Sequence, residues 1–105
     1  MVASPQDWRI TASFEADRCR RDFLAARTDP LDSPVEVLQK YWSAYQAASA
    51  ATGALVEAEL EDGLGWPEIA DALGFASIGA AQAALALPLE HGQSRLRARL
   101  PHSIP

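Results

Sequence analysis

The sequence GLGWPEIADALGF, residues 63–75, decides how this chain folds. Pro67 comes early in the segment and Gly74 comes directly after its last leucine, an arrangement typical of a short helix. We therefore predict a helix from Pro67 to Leu73. Gly74 permits the positive φ that a tight turn requires, and Ala70 is small enough for the next helix to cross over it.

A second short helix is predicted directly after this turn, from Ser77 to Leu87. Ser77 can cap its start, and Pro88 is expected to end it because proline cannot continue a helix without losing a hydrogen bond. One further amphipathic turn or two is predicted in the tail, over residues 93–100. The predicted core beneath the turn consists of Ile69, Leu73 and Leu85.

A long helix is predicted upstream of this segment. Ser33 can cap it, Pro34 suits its first position, and Glu36 stands where a capping box needs an acid. Gly53 interrupts an alanine- and glutamate-rich stretch of this helix and costs about 1 kcal/mol relative to alanine. We therefore expect the helix to bend or divide at Gly53 and to end near residues 62–63.

The first helix is predicted from Trp8 to Arg27, where apolar residues three and four positions apart form one stripe. Two prolines and two aspartates in residues 28–34 end it. No strand-like alternation and no internal repeat occur in the 105 residues. The sequence therefore predicts a single all-α domain of four to five helices over residues 1–105, with residues 8–53 as a helical hairpin.

Residues 54–87 resemble a helix-turn-helix domain of the trihelical type that is common in bacterial regulators. The resemblance is carried by residues 63–75 followed by Ala80 and Ala81, and it covers about a third of the chain. It implies a regulator related to transcription, with residues 88–105 as a tail. A plain helical hairpin with a glycine turn is the alternative.

In this family the second helix of the pair lies in the major groove of double-stranded DNA, with its early residues on base edges. The resemblance therefore implies DNA contacts by Ser77, Ile78, Gly79 and Gln82. Basic residues around such a helix would hold phosphate groups. The tail offers Arg95, Arg97 and Arg99 for this role.

The charge of the chain departs from the pattern of this family. The formal net charge is −5, no lysine or arginine occurs between Tyr41 and Ser94, and Lys40 is the only base between positions 35 and 75. Non-specific affinity for DNA comes largely from neutralised phosphates, so an acidic surface repels the duplex. The alternative function is a protein–protein interaction module on a helix-turn-helix scaffold that has lost DNA binding. Its alanine-rich helix would then pack against a partner with a basic surface.

Tyr41, Trp42 and Tyr45 lie close together on the predicted long helix. Adjacent aromatic residues on an amphipathic helix are typical of a core or of a dimer interface. We therefore expect a homodimer formed through the hairpin of residues 8–53. The alternative is a small-molecule pocket lined by Trp8, Trp42 and Trp66.

The chain carries no recognisable motif for catalysis or metal binding. It has no glycine-rich phosphate loop, no His-Glu-x-x-His pattern and no Ser-His-Asp set. Cys19 is the only cysteine, and His91 and His102 are interpreted as solvated because neither has a second ligand at helical spacing. We therefore expect no enzyme activity, no cofactor and no metal site.

Signals for membrane insertion and export are also missing from the sequence. No apolar run approaches the roughly 18 residues of a membrane span. The N-terminus lacks the basic-then-apolar pattern of a signal peptide. We therefore expect a cytoplasmic protein without membrane contact.

Overall fold

The computed structural model describes residues 3–28 and 33–100, which contain four helices and no strand. The helices are α1 (Pro5–Thr28), α2 (Pro34–Glu61), α3 (Trp66–Ala72) and α4 (Ile78–Arg99). The predicted all-α class is therefore confirmed for this part of the chain. None of the four helices combines the length and apolar character that a membrane crossing needs.

Helix α1 begins at Pro5, slightly before the predicted start at Trp8. The Asp7 N–H donates a hydrogen bond to Ser4 Oγ at 3.2 Å, and the Ser4 N–H donates to Asp7 Oδ2 at 3.0 Å. This reciprocal pair caps the first turn, and Pro5 suits the first helical position. The hydrogen bond from the Ser4 N–H, followed by that from its hydroxyl, lowers the pKa of the Asp7 carboxyl.

Helix α2 begins with the predicted capping box. The Glu36 N–H donates to Ser33 Oγ at 3.2 Å, and the Ser33 N–H donates to Glu36 Oε2 at 3.1 Å. The helix runs as one element past Gly53, so the predicted division there is wrong. A Cβ on Gly53 would lie 1.8 Å from the Pro88 carbonyl oxygen. The glycine therefore allows α4 to approach α2 closely and does not end the helix.

Two glycines end helices with the same backbone geometry. Gly63 after α2 has a φ of 102°, and Gly74 after α3 has a φ of 78°. In the second case the Phe75 N–H donates to the Ala70 carbonyl at 2.8 Å, and the Gly74 N–H donates to the Asp71 carbonyl at 3.1 Å. These two bonds form a Schellman motif, which needs a left-handed residue directly after the helix. The chain therefore turns at Gly74, between α3 and α4.

Leu73 does not belong to the core beneath this turn, which corrects the predicted core. Its side chain is 52% exposed because Leu73 is the C-cap residue and has left the inward-facing stripe of α3. Phe75 packs against the core instead. The buried members of this core are Val56, Ile69 and Leu85, with Leu60, Trp66, Phe75 and Leu89 partly buried around them.

Helix α4 continues through Pro88 to Arg99, so the predicted stop at Pro88 and the separate tail helix are wrong. A proline inside a helix costs about 3 kcal/mol, and packing on either side of it offsets this cost. Gly92 lies against the backbone of α2, where a Cβ would be 2.7 Å from Ala54 N. One turn later, Leu96 joins a second core. The buried members of that core are Trp8, Ala12, Ala54, Ala58 and Leu96.

Helices α1 and α2 pack antiparallel to each other. Trp8 Nε1 at the start of α1 donates to Glu61 Oε1 at the end of α2, at 3.2 Å. Ser43 Oγ in the first half of α2 donates to Asp22 Oδ2 in the second half of α1, at 2.5 Å. These two contacts place residues 8–22 of α1 alongside residues 43–61 of α2.

Helix α4 crosses α2 and then follows α1. His91 Nδ1 lies 2.9 Å from Ser49 Oγ on α2, so His91 is not the solvated residue predicted from the sequence. Arg99 Nε donates to Thr11 Oγ1 on α1 at 2.9 Å. The first half of α2 and the second half of α1 therefore project beyond the three packed helices. The Cα radius of gyration, 15.5 Å, accordingly exceeds the roughly 13 Å expected of a compact domain of this length.

Candidate interaction face around α3 and α4

The residues predicted to contact DNA bases lie at the start of α4. Ser77 is the N-cap of this helix, and its Oγ accepts a hydrogen bond from the Ala80 N–H at 3.1 Å. Ile78, Gly79 and Gln82 are exposed. Ser77 Oγ accepts the capping bond but keeps its O–H as a donor, so Gln82 and the Ser77 hydroxyl are the side-chain polar groups that these four residues offer to a ligand.

The outer surface of the first half of α4 is formed mostly by small side chains. Its exposed small residues are Gly79, Ala80, Ala83, Ala84 and Ala86. Ala76, which precedes the N-cap Ser77, is also exposed. Leu87 adds an apolar side chain that is 48% exposed. No lysine or arginine occurs in α4 before Arg95. This surface therefore supplies few donors for base edges or phosphates.

Two of the three tail arginines bind α1. Arg95 Nε lies 3.2 Å from Glu15 Oε1. Arg99 donates to Thr11 Oγ1 at 2.9 Å and to the Asp7 carbonyl at 3.0 Å. Both arginines therefore hold α4 against α1, and their charges are directed away from any duplex that lies on the start of α4.

The two groups of predicted DNA contacts lie at opposite ends of α4. The helical rise separates Gln82 from Arg95 by about 20 Å along the axis. Arg97 is the exposed member of the tail group. The structure therefore does not bring the predicted base contacts and the predicted phosphate contacts together.

Matching spacings on α1 and α4 explain the contacts that sequence reasoning missed. Polar residues recur every fourth position of α1, at Asp7, Thr11 and Glu15. The arginines that meet them, Arg95 and Arg99, are also four positions apart. Residues four apart share one face of a helix, so two polar stripes meet. The pattern becomes informative once α1 and α4 are known to be neighbours.

The three tryptophans do not line a common pocket, so the alternative of a ligand site between them is wrong. Trp8 is buried in the core that α1, α2 and α4 share, and Trp66 packs against the other core. Trp42 is 58% exposed on the projecting half of α2.

An apolar groove separates α2 from α3. Its volume is about 160 Å³, and the buried side chains of Val56 and Ile69 line it. Three leucines that also line it are 39% to 52% exposed: Leu55, Leu64 and Leu73. Sequence reasoning missed this groove because it assigned Leu73 to the core. A groove of this kind accepts the apolar side chains of an amphipathic helix.

One carboxylate, that of Glu59, lines this groove. Helix α3, which forms one side of the groove, also carries the exposed residues Glu68 and Asp71. Arg9 Nη2 lies 3.3 Å from Glu59 Oε1 and also pairs with Asp62, so part of the negative charge is neutralised. The surroundings of the groove remain acidic and therefore favour a basic ligand.

Glu57 adds to the negative charge at this end of α2. Partial burial, and then the charge of Glu61 one turn away, raise the pKa of Glu57 above its usual value. A raised pKa means that the folded protein binds this proton more tightly than the unfolded chain does. Ionised Glu57 therefore destabilises the fold at neutral pH, and protonation as the pH falls relieves the cost.

Glu57→Gln is expected to raise the melting temperature at neutral pH, because it removes a partly desolvated charge. The gain in free energy of unfolding should stay below about 1 kcal/mol, since the side chain is still partly exposed. The difference from wild type should shrink as the pH falls through the pKa of Glu57. Thermal melts across acidic and neutral pH measure this, with Glu90→Gln, an exposed position on α4, as the control. A lower melting temperature for Glu57→Gln at neutral pH would contradict the expected sign.

Comparisons with known proteins found no match among protein-family models, curated proteins or solved structures. Within residues 3–28 and 33–100, no group of three or more histidine, cysteine, aspartate or glutamate side chains is placed to hold a metal ion. His102 lies outside the described residues. The groove between α2 and α3 and the surface of α4 are therefore the candidate binding surfaces.

Proposed function

We propose that the protein is a transcription-related regulator that acts by binding a basic partner protein. The binding region is the helix-turn-helix-like unit of residues 54–87. The observation that carries this proposal is the groove between α2 and α3, where three exposed leucines lie beside the carboxylate of Glu59. Such a groove fits a partner helix with apolar anchors and basic flanks. The regulator is a homodimer in this proposal, as the sequence predicts.

The surface of α4 supports a protein partner over DNA. A helix in the major groove needs donors at its early positions and cations near the phosphates. Here Gln82 and the Ser77 hydroxyl are the side-chain donors, while Arg95 and Arg99 are bound to α1. Each missing phosphate contact weakens DNA binding at every sequence.

Leu73→Lys is expected to weaken capture of the partner by at least about tenfold, which corresponds to about 1.4 kcal/mol. The lysine removes an apolar anchor and repels a basic partner. The measurement is a pull-down from the native host with wild type and variant as baits, with retained proteins and nucleic acids identified. Leu87→Lys is the matched control, because Leu87 is about as exposed (48% against 52%) but lies on α4. Equal capture by wild type and Leu73→Lys would overturn the assignment of the groove.

A gel shift with genomic DNA fragments tests the DNA-binding alternative directly. We expect no shift, and no salt-dependent retention on heparin. A sequence-specific shift that Gln82→Ala abolishes would overturn the proposal and support base contacts by α4.

The pull-down also distinguishes the two protein-binding surfaces. If Leu87→Lys loses the partner protein and Leu73→Lys does not, the protein contact lies on α4 and not in the groove.

A further inference from the structure

A large apolar surface lies on the projecting half of the molecule. Its side chains come from α1 and the first half of α2, and they are 41% to 68% exposed. We call this surface the bare face, and it consists of Phe23, Val35, Leu38, Tyr41, Trp42 and Tyr45. Contiguous apolar patches larger than a few hundred Å² are rare on monomeric soluble proteins and mark interaction sites.

The bare face continues a stripe of α2 that α4 covers further along the helix. The stripe repeats at intervals of three and four residues over positions 35–56, a spacing typical of a seam between packed helices. In its second half, Ser49 contacts His91 and Gly53 lies against Pro88. In its first half the side chains are exposed. One continuous seam is therefore packed over only half of its length.

The aromatic rings of the bare face are already ordered by contacts with one another. Trp42 stacks on Tyr45 with ring centroids 5.4 Å apart, and Phe23 meets Tyr41 edge to face at 5.5 Å. Phe23, Tyr41 and Tyr45 also line a shallow groove of about 240 Å³ beside Cys19. Side chains that are ordered before association lose less entropy on binding. The bare face is therefore suited to pack against other helices.

We propose that a second copy of the chain covers the bare face, so that α1 and α2 of two protomers form a four-helix bundle. In such a bundle, two antiparallel helix pairs bury one apolar side each. A twofold axis makes a single face self-complementary and closes the assembly at the dimer. The inference specifies the homodimer of the proposed function, and it depends on neither the groove nor the basic partner.

The exposed area of the bare face fits a dimer interface of ordinary size. If a full aromatic side chain contributes about 200 Å², the four rings together expose on the order of 400 Å² at their observed exposures. Val35 and Leu38 are more than 60% exposed and add to this area. A standard interface buries about 800 Å² per partner. The apolar side chains thus supply a large share of that area, and the flanking helix surface can supply the rest.

The charges around the bare face favour a second copy over a strongly charged partner. The projecting segments carry both signs: Asp17, Arg18, Arg20, Arg21, Asp22, Arg27, Glu36 and Lys40. Residues 41–94, by contrast, contain no lysine or arginine. Around a twofold axis, a surface of mixed sign can place opposite charges near each other.

Trp42→Lys is expected to convert the dimer into a monomer. Light scattering after size exclusion should give twice the 11.3 kDa chain mass for wild type and the single-chain mass for the variant. The reason is that an interfacial lysine would be buried without a counter-charge. Leu38→Lys, at a position that is 68% exposed, should also give a monomer, and it leaves the Trp42 and Tyr45 rings in place. Leu87→Lys, on α4, should remain dimeric.

Far-UV circular dichroism should show the same helix content in all three variants, which separates loss of the dimer from loss of the fold. Wild type at the single-chain mass at every concentration would overturn the inference. A dimer that both bare-face variants leave intact would also overturn it. If the proposed function is wrong, the result is different. The protein is then still a dimer, but Leu73→Lys captures the basic protein as well as wild type does.

Discussion

Gly53→Ala is expected to destabilise the protein strongly, although alanine is the better helix former. The added Cβ would lie 1.8 Å from the Pro88 carbonyl oxygen and 2.8 Å from Leu89 N. Both are backbone atoms, which cannot rotate away. Alanine gains about 1 kcal/mol over glycine in a helix interior, whereas overpacking costs about 3 kcal/mol or more when backbones must separate. We therefore expect a net loss of roughly 2 kcal/mol in the free energy of unfolding.

Gly79→Ala separates this steric effect from helix propensity. Gly79 lies in the first turn of α4, where the nearest atom to an added Cβ is Ser77 Oγ at 3.9 Å. Urea unfolding should give unchanged or slightly raised stability for Gly79→Ala, beside the large loss for Gly53→Ala. Equal stability of the two variants would mean that α4 does not approach α2 as closely as the structure shows.

Arg95→Ala is expected to have the second large effect on stability. The Glu15 side chain is only 10% exposed, and Arg95 Nε lies 3.2 Å from its Oε1. That contact is an ion pair without hydrogen-bond geometry, and Glu15 Oε1 has no hydrogen-bond partner among the described residues. Removing one member of a buried pair costs about 3–5 kcal/mol. Because the Arg95 side chain is 34% exposed, water reduces the effect, and we expect a loss of roughly 2 kcal/mol.

Arg97→Ala is the matched control for this prediction, because Arg97 lies in the same turn of α4 and is exposed. Its free energy of unfolding should stay within about 0.5 kcal/mol of wild type. Adding Glu15→Gln to Arg95→Ala should recover part of the loss, since an amide needs no counter-charge. Identical melting of Arg95→Ala and Arg97→Ala would show that the ion pair does not hold α4 on α1.

Features that depend on neighbouring residues could be predicted from the sequence. The capping box of Ser33 and Glu36 forms as predicted, and Gly74 has the positive φ that the turn was expected to need. Each of these features is decided by contacts within about five positions along the chain. The all-α class was predictable for a similar reason, because apolar residues three and four apart identify helices.

Contacts between distant residues account for the errors in the fold. Pro88 was predicted to stop a helix and Gly53 to divide one, because each disfavours a helix when considered alone. In the structure the two residues face each other where α4 crosses α2. The close packing that this pairing permits keeps both helices continuous. No local rule connects two positions that lie so far apart in the sequence.

The candidate site was harder to predict than the fold. Arg95 and Arg99 were assigned to phosphate from their charge, whereas α1 supplies their partners. Leu73 was assigned to the core from its spacing, whereas the turn after α3 exposes it beside the groove. The base contacts of Ser77 and Gln82 stay predictions drawn from the resemblance.

The crossing of α2 and α4 also provides a signature for finding relatives of this chain. Gly53 and Gly92 each lie against backbone atoms of the opposite helix, with no space for a side chain. We therefore expect a homologue that keeps the crossing to keep both glycines. A sequence search that gives these two glycines and their spacing more weight than overall identity is suited to detecting distant homologues.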